Sequence, residues 1–332
     1  MNMLVATHNG SFHADELTAC VILSLLHDDF RVIRSRDPEE LERADIVIDV
    51  SGKFDLKKHF DHHPKEFTKT RANGIKYATA GLIWEFYGRQ LLFKYTNSIP
   101  ELADVDNEAI SRAWTVIDNK FMQFIDLTDN GQLDTYTLEH AAPQDAQSKQ
   151  VYDWMNGFFM KAPIIPALIA LQNAPDGTDE EQMLNFLNTL ECFKTLFNRI
   201  FINILKNSRD EAKVLQAYDG SEILLMSEKL PWFETVLNNW DKFTNCLLAV
   251  YPDHNGRGWR IQSLPGSESA RFENRCSAPV SWRGREFEDL NKLAGISTAT
   301  FVHKAGFTGG ARTFEDVITM AKNWIKESPN KY

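Results

Sequence analysis

The sequence predicts an α/β protein in which a first domain built on a parallel sheet is joined to a smaller α/β domain by a helical connector. Short apolar runs alternate with helical patterns over the first part of the chain, which is typical of a parallel sheet. Residues 150–217 carry only helical patterns, and strand patterns return after them. We therefore predict domains at 1–145 and 218–332 with a connector at 146–217, and 332 residues suffice for two such cores.

The first strand, loop and helix lie at the N-terminus. Met3–Thr7 is a short apolar run that stops at a polar His-Asn-Gly-Ser stretch, which predicts a buried strand followed by a turn. Apolar residues then recur at helical spacing, which predicts a helix over Ala14–Leu26. Together these elements form the first half of a parallel βαβ unit.

Two more strands and three helices follow in the first domain. Arg31–Ile33 predicts the second strand, and Asp37 is a favourable N-cap for a helix with proline in its first turn. Asp45–Val50 predicts the third strand, since it is nearly all apolar as buried parallel strands are. Helical periodicity predicts helices over Thr79–Phe93 and Asp104–Phe124.

The second half of the chain begins with a long helical pattern over Asp179–Val214, which we interpret as a packed connector, with a lid as the alternative. The second domain shows four strand patterns and two helical ones. The strands are predicted at Glu222–Met226, Asn245–Tyr251, Trp259–Leu264 and Ala299–His303, and the helices at Trp232–Trp240 and Thr313–Ile325. Residues 306–313 are predicted to form a glycine-rich loop before the last helix.

The composition excludes several classes of protein. A net charge of -10 argues against a protein that coats nucleic acid through bulk charge, although it permits a local basic groove. The four cysteines are far apart and form no C-x-x-C pair, so we expect a reducing compartment. We see no presequence pattern, and no apolar run reaches the roughly 20 residues of a membrane span. We therefore expect a cytoplasmic protein with no membrane partner.

Residues that can bind a metal follow the predicted strands. The candidates are His8, His13, Asp15, Asp49, Asp61, His62, His63, Asp126 and Asp129. Because the carboxyl ends of parallel strands meet at one edge of a sheet, we expect these side chains to gather there. Carboxylate and imidazole suit Mn²⁺ and its neighbours, and the ligands suffice for two divalent cations that share a carboxylate. We assign the shared carboxylate to Asp49 and expect a water between the ions to act as nucleophile.

Each candidate also has a structural interpretation when it is taken alone. His8 beside a turn can be a surface or capping residue, and Asp15 can stabilise the first turn of a helix by its charge. Asp49 can cap a turn. Asp129 begins an Asp-Asn-Gly sequence that also forms a good turn, so the choice between Asp126 and Asp129 as a ligand stays open. The occurrence of all of them in this order favours the metal site.

These residues, with a glycine-rich block late in the chain, resemble those of the DHH phosphoesterase superfamily. Within it the likeness is to the MYG-type proteins (melanocyte-proliferating-gene family), which are described as metal-dependent hydrolases and RNA exonucleases. The matching segments are 7–16, 45–52, 61–63, 126–131, 258–263, 282–284 and 301–313. The resemblance covers nearly the whole chain and is weakest from 145 to 182.

The resemblance implies roles for individual residues. The implied metal ligands are His8, His13, Asp15, Asp49, His62 and Asp129. The implied catalytic residues are His63, which matches the position that faces the substrate phosphate, and Asp61, which orients a histidine. Many relatives have an Asp where this chain has His13, so we expect Mn²⁺, with Mg²⁺ or Co²⁺ as alternatives.

A substrate-binding segment is implied near the C-terminus. Its residues are His303, Lys304, Gly309, Gly310 and Arg312. Paired glycines before a helix let backbone N–H groups approach an anion, and an arginine can grip phosphate oxygens in a fork. Relatives often carry a histidine directly after the glycines, where this chain has Ala311. Residues 257–312 carry nine basic and five acidic side chains, which fits either a bound nucleotide chain or an ordinary solvated surface.

Three functions are compatible with the sequence. The first is a Mn²⁺-dependent phosphodiesterase acting in an interdomain cleft, most simply a 3′–5′ exonuclease on RNA or short oligonucleotides. The second is an enzyme on a small phosphoanhydride or a cyclic dinucleotide. The third is a non-catalytic regulatory protein that keeps its metal site. The sequence leaves the oligomeric state open, and for a eukaryotic chain the resemblance implies mitochondrion or nucleus as alternatives to the cytoplasm.

Overall fold

The computed structural model describes residues 3–133, 164–174, 176–267, 270 and 272–331. The chain divides into two compact units, Met1–Lys206 and Asn207–Tyr332. Both units combine helices with a sheet, so the α/β class is confirmed. The predicted domain boundary at residue 145 lies outside the described residues, and the bounds of the three predicted segments stay a prediction.

The first unit is built on a four-stranded sheet in the order β2-β1-β3-β4. The strands are β1 (Met3–Thr7), β2 (Phe30–Arg34), β3 (Ile46–Ile48) and β4 (His59–Phe60). All neighbouring pairs run parallel, as predicted. Sequence reasoning missed β4 because two residues are too few for a periodic pattern.

The described residues form seven α-helices that lie wholly or partly in the first unit. They are α1 (Ala14–Leu26), α2 (Pro38–Arg43), α3 (Thr79–Ser98), α4 (Asn107–Ile117), α5 (Gln123–Asp129), α6 (Ile164–Ala170) and α7 (Asp179–Ala217). The bounds predicted for α1 are confirmed, and Asp37 accepts the Glu39 N–H as the predicted N-cap. The single helix predicted over Asp104–Phe124 is wrong, because a π-helical turn at Asp118–Met122 separates α4 from α5.

The core of the first unit is formed where α1 and α3 pack together beside the sheet. Eleven of the 13 residues of α1 are buried, which explains why apolar residues surround this helix on every side. Phe12, Phe60 and Trp84 are fully buried there, and Phe186 and Phe197 of α7 join the same cluster. Although α7 has 39 residues, no helix in the described part of the chain is both long and apolar enough to cross a bilayer.

The second unit is built on a five-stranded mixed sheet in the order β5-β6-β7-β9-β8. Its strands are β5 (Ile223–Leu225), β6 (Leu248–Pro252), β7 (Trp259–Ser263), β8 (Ala299–Val302) and β9 (Thr308–Ala311). Its α-helices are α8 (Trp232–Asn238), α9 (Phe287–Ala294) and α10 (Phe314–Glu327). β5 and β6 are parallel, and the other pairs are antiparallel.

The glycine-rich loop predicted before the last helix is wrong. Residues 308–311 form β9, a fully buried strand that pairs with β7 on one side and β8 on the other. Gly309 and Gly310 are needed there because a Cβ at either position would collide with a backbone carbonyl of a neighbouring strand, that of Phe301 or Trp259. Their backbone groups therefore form the hydrogen bonds of the sheet, and these residues do not form a loop that could hold an anion.

Candidate metal centre

Three of the four parallel strands deliver polar side chains to one edge of the first sheet. His8 follows β1, Asp49 follows β3, and His62 comes two residues after β4. The Nε2 atom of His8 lies 3.6 Å from Oδ2 of Asp49, and Nε2 of His62 lies 3.5 Å from Oδ1 of the same carboxylate. The parallel topology thus brings residues more than 50 positions apart into one cluster.

A first group of possible metal ligands surrounds His62. Its Nε2 atom lies 3.1 Å from Oδ2 of Asp129 and 3.9 Å from Oδ2 of Asp15. This nitrogen is buried and makes no hydrogen bond within the described chain. One ligand atom from each of Asp15, His62 and Asp129 lies within 4.8 Å of the others, an arrangement that can hold a metal ion.

A second group lies beside it and consists of His8, His13 and Glu16. Nε2 of His8 is 3.1 Å from Oε1 of Glu16, and Nδ1 of His13 is 3.9 Å from Oε2. Burial disfavours the charged form of His8, but the hydrogen bond and charge of Glu16 outweigh it and raise the pKa of His8 above its ordinary value. His13 is mostly exposed at the rim, so this group is open on one side.

Asp49 lies between the two groups. One oxygen faces His8 and the other faces His62, with His63 Nδ1 also 3.2 Å from the second oxygen. Burial opposes ionisation, but the close polar contacts with His62 and His63 hold the pKa of Asp49 well below its usual range. Asp49 has a left-handed backbone with φ 56°, which most residues avoid and aspartate tolerates better than most. This placement suits a carboxylate shared by two cations.

Asp15 is held by the first turn of α3. Its two oxygens accept the N–H groups of Thr79 at 2.9 Å and Ala80 at 2.6 Å. The N-cap residue of α3, Ala78, has no side chain that can do this, so a carboxylate from α1 caps the helix instead. Burial and then the nearby carboxylates of Asp129 and Asp49 raise the pKa of Asp15. A cation among these carboxylates would relieve their mutual repulsion.

Asp61 orients His63. It is 2% exposed, and its oxygens accept the N–H of Gly52 and the N–H of His63. The Nδ1 atom of His63 is 2.9 Å from Oδ1 of Asp61. Hydrogen bonding to Asp49 outweighs burial and raises the pKa of His63 to about 9. Burial lowers the pKa of His62, but its close contacts with the carboxylates of Asp129 and Asp49 outweigh this and raise it to about 11. The cluster is therefore negative enough to hold protons on both imidazoles.

Asp126 and Asp129 have different partners. Asp126 is fully buried, forms an ion pair with Arg71 and accepts the N–H of Gly81. A Cβ at Gly81 would collide with this carboxylate, so glycine makes room for it. Arg71 also binds both oxygens of Asp118. Asp129 instead lies beside His62, which leaves it as the candidate ligand of the two.

The cluster opens into a cavity of about 720 Å³ within the first unit. The cavity's polar wall comes from the residues described above, and its apolar wall comes from Phe12, Val50, Ile125, Pro166 and Ala170. Arg36, two residues beyond the end of β2, also lines it. The volume lies in the range of small-molecule sites, about 300–1,000 Å³. Both hydrophobic and metal-binding surfaces thus face the same space.

The five residues proposed to bind substrate in the second unit do not form one cluster. His303 and Lys304 are exposed in the turn between β8 and β9, where Nδ1 of His303 accepts the Ala305 N–H. Arg312 is exposed at the other end of this hairpin, where its N–H donates to Thr298 O. At about 3.4 Å per residue, the four residues of β9 separate the two ends by about 13 Å.

Sequence reasoning missed two residues of the site, Glu16 and Arg36. Glu16 lies within a predicted helix, and only the packed structure shows that its carboxylate is fully buried next to His8. Arg36 follows a parallel strand just as His8 and Asp49 do, so the strand-end rule could have found it. Arginine is not a metal ligand, so a prediction restricted to metal-binding side chains does not include it.

Comparison with known proteins identifies relatives across the whole chain. The family described as MYG1_exonuc, uncharacterised protein family UPF0160, matches residues 4–325. A MYG1 protein of Schizosaccharomyces pombe is 31% identical over 349 aligned residues, which cover 97% of this chain and 98% of that protein. A MYG1 protein of Caenorhabditis elegans is 29% identical, covering 100% and 98%. A human protein named MYG1 exonuclease is 27% identical, covering 96% and 84%.

Proposed function

Because the chain belongs to the MYG1_exonuc family, we propose that it is a metal-dependent phosphodiesterase that removes nucleotides from the 3′ end of RNA or short oligonucleotides. Relatives named MYG1 exonuclease support a hydrolase acting on nucleic acid. The proposal also includes membership of the DHH superfamily, a two-cation site that prefers Mn²⁺, and substrate binding by residues 218–332.

One observation carries the proposal. The buried Nε2 atom of His62 faces three carboxylates, those of Asp15, Asp49 and Asp129, which come from three separate segments of the chain. Uncompensated, such crowding of negative groups is unfavourable, and divalent cations are the ordinary partners of mixed carboxylate and imidazole clusters. With His8, His13 and Glu16 alongside, the donors fit two ions that share Asp49.

Different residues of the chain would have different roles in the reaction. Asp15, Asp49, His62 and Asp129 would hold one cation, and His8, His13 and Asp49 the other, with Glu16 beside His8. Bound divalent cations supply Lewis acidity and lower the pKa of a water, which provides the nucleophile of a hydrolase. His63, fixed by Asp61, contacts the phosphate from the cavity wall and donates or accepts a proton there. The apolar wall excludes bulk water beside the reacting phosphate.

The first experiment measures cleavage of single-stranded RNA labelled at either end, with Mn²⁺, Mg²⁺ or Co²⁺ added to metal-free protein. We expect release of mononucleotides from the 3′ end, with the highest rate in Mn²⁺. Asp49→Ala and His62→Ala should each reduce the rate by at least about 1,000-fold, since both remove a donor from the centre of the site. Circular dichroism checks that each variant is folded.

The matched controls are Asp241→Ala and His254→Ala, which remove an exposed carboxylate and an exposed imidazole that are not among the substrate-binding residues proposed in the second unit. Both controls should keep the wild-type rate. Unchanged turnover in Asp49→Ala and His62→Ala would refute the metal-dependent mechanism. If the wild type hydrolyses pyrophosphate or a cyclic dinucleotide faster than any RNA, the site is retained but the proposed substrate is wrong.

A further inference from the structure

Arg36 lines the same cavity as the candidate metal centre. It lies two residues after the end of β2, and β2 runs parallel to β1 on the outer side of the sheet. All four strands of the first sheet therefore direct a polar segment to one edge. Three of these segments provide candidate metal ligands, and the fourth provides a guanidinium.

The charge of the cavity makes this position significant. The described lining includes four carboxylates, from Asp15, Asp49, Asp61 and Asp129, and Arg36 is its one permanently charged cation. Together with Glu16 beside His8, these carboxylates carry at least as much negative charge as two divalent cations carry positive charge, so such a site by itself has little net attraction for a phosphodiester. An arginine in the wall supplies that attraction, and its planar fork matches two phosphate oxygens.

Arg36 is also available for a ligand. Its side chain is exposed and makes no ion pair with the described residues. Arg34, two residues earlier, is different: it donates to Gly10 O at 2.6 Å, and its guanidinium lies 4.9 Å from the ring centre of Phe186. Of the two arginines at this strand end, one is engaged in packing and the other faces the cavity.

We propose that Arg36 binds non-bridging phosphate oxygens of a nucleotide chain in this cavity and holds that chain against the metal centre. The inference rests on the proposed function, since it names the residue that anchors the substrate of the same site. The apolar wall formed by Phe12, Ile125 and Pro166 faces the same space, which gives the sugar or base of the anchored nucleotide a surface to pack against.

The test compares Arg36→Ala and Arg36→Lys with the control Arg31→Ala. Arg31 is an exposed arginine at the opposite end of β2, so its loss changes net charge equally without touching the cavity. Steady-state cleavage of short RNA in Mn²⁺ gives KM and kcat, and calorimetry on metal-free protein gives the Mn²⁺ affinity. Inhibition by inorganic phosphate provides a second measure of anion binding.

We expect Arg36→Ala to raise KM and the inhibition constant of phosphate by about 10- to 100-fold, the usual effect of losing a hydrogen bond to a charged group. Its kcat should change less than about threefold, and its Mn²⁺ affinity should equal that of the wild type. The KM and the phosphate inhibition constant of Arg36→Lys should lie between those of the wild type and Arg36→Ala, because an ammonium keeps the charge but cannot bind two phosphate oxygens in a planar fork. Arg31→Ala should match the wild type throughout.

A KM and phosphate affinity in Arg36→Ala equal to those of the wild type would overturn the assignment of Arg36 and leave the proposed function standing. If the wild type cleaves no phosphodiester, the proposed function fails, and calorimetry of inorganic phosphate with Mn²⁺-loaded protein then decides about Arg36. Loss of phosphate binding in Arg36→Ala alone would support the anchor, and equal binding in both proteins would exclude it.

Discussion

The two sheets of this protein place their polar side chains in opposite ways. In the first unit four parallel strands end at one edge, and side chains that follow β1, β2, β3 and β4 line a single cavity. In the second unit β7, β9 and β8 are antiparallel, so Lys304 and Arg312 lie at opposite ends of one hairpin. Residues close in sequence are thus separated, whereas distant ones converge.

Strand direction therefore matters more than sequence spacing in assembling a site. A parallel sheet collects whatever follows each strand, because every carboxyl end faces the same way. An antiparallel hairpin distributes what precedes and follows its strands between two edges. Four predictions test whether this contrast extends to stability and to energetic coupling.

The largest effect is expected from removing the buried arginine that supports the carboxyl edge. Arg71→Met leaves Asp126 and Asp118 buried without a counter-charge, which should lower the stability of the first unit by about 3–5 kcal/mol. Urea unfolding followed by hydrogen exchange of peptides from 3–133 measures this. The control Arg43→Met breaks an exposed pair with Glu39 and should change stability by less than about 0.5 kcal/mol. Equal effects of the two variants would contradict the prediction.

A smaller effect is expected in the second sheet. Gly310→Ala places a Cβ against the Trp259 carbonyl inside the sheet, and overpacking of this kind lowers stability by about 1–3 kcal/mol. Hydrogen exchange of peptides from 218–267 and 272–331 should report the loss, while Mn²⁺ affinity stays unchanged. Gly266→Ala is the control, because its nearest neighbour is a side-chain atom of Glu273 at 3.2 Å. A fall in Mn²⁺ affinity in Gly310→Ala would show that the two units are not independent.

Coupling between pairs of residues sharpens the contrast further. Asp49→Ala and His62→Ala disrupt one cluster, so their effects on Mn²⁺ affinity should not be additive. The sum of the losses of Mn²⁺ binding free energy in the two single variants should greatly exceed the loss in the double variant. Lys304→Ala and Arg312→Ala lie at opposite ends of a hairpin, so their effects on RNA affinity should add within about 0.5 kcal/mol. Double-mutant cycles by calorimetry measure both. Strong coupling in the second pair would mean that the hairpin ends act together on one substrate.

The smallest effect is expected from pH, because the His63 side chain is largely exposed and solvent screens its interactions. Hydrogen bonding to Asp49 raises the pKa of His63 to about 9 from its ordinary 6.5, so the folded metal-free protein binds this proton more tightly than the unfolded chain. The resulting stabilisation is complete below pH 6.5 and is lost as pH rises through about 9. The difference in unfolding free energy between wild type and His63→Gln should therefore shrink over this window. A difference that stays constant over this window would refute it.

Much of the first unit follows from local patterns. The strand at Met3–Thr7 and the helix at Ala14–Leu26 have the predicted bounds, because a short apolar run and a helical period are both complete within them. The elements that prediction missed depend on distant partners. β4 exists because it pairs with β3, and the π-helical turn at Asp118–Met122 occurs where Asp118 binds Arg71 from another segment.

The kinds of donor and the sheet edge that gathers them can be predicted from the amino-acid sequence, because strand ends and residue types are local properties. Tertiary packing instead places Asp129 beside His62 and Asp126 beside Arg71, and it brings Glu16 and Arg36 to the site. Those outcomes depend on how α1, α3 and α5 pack against one another and on where each side chain then points. Such packing is set by contacts between residues far apart in the chain, and no local pattern records it.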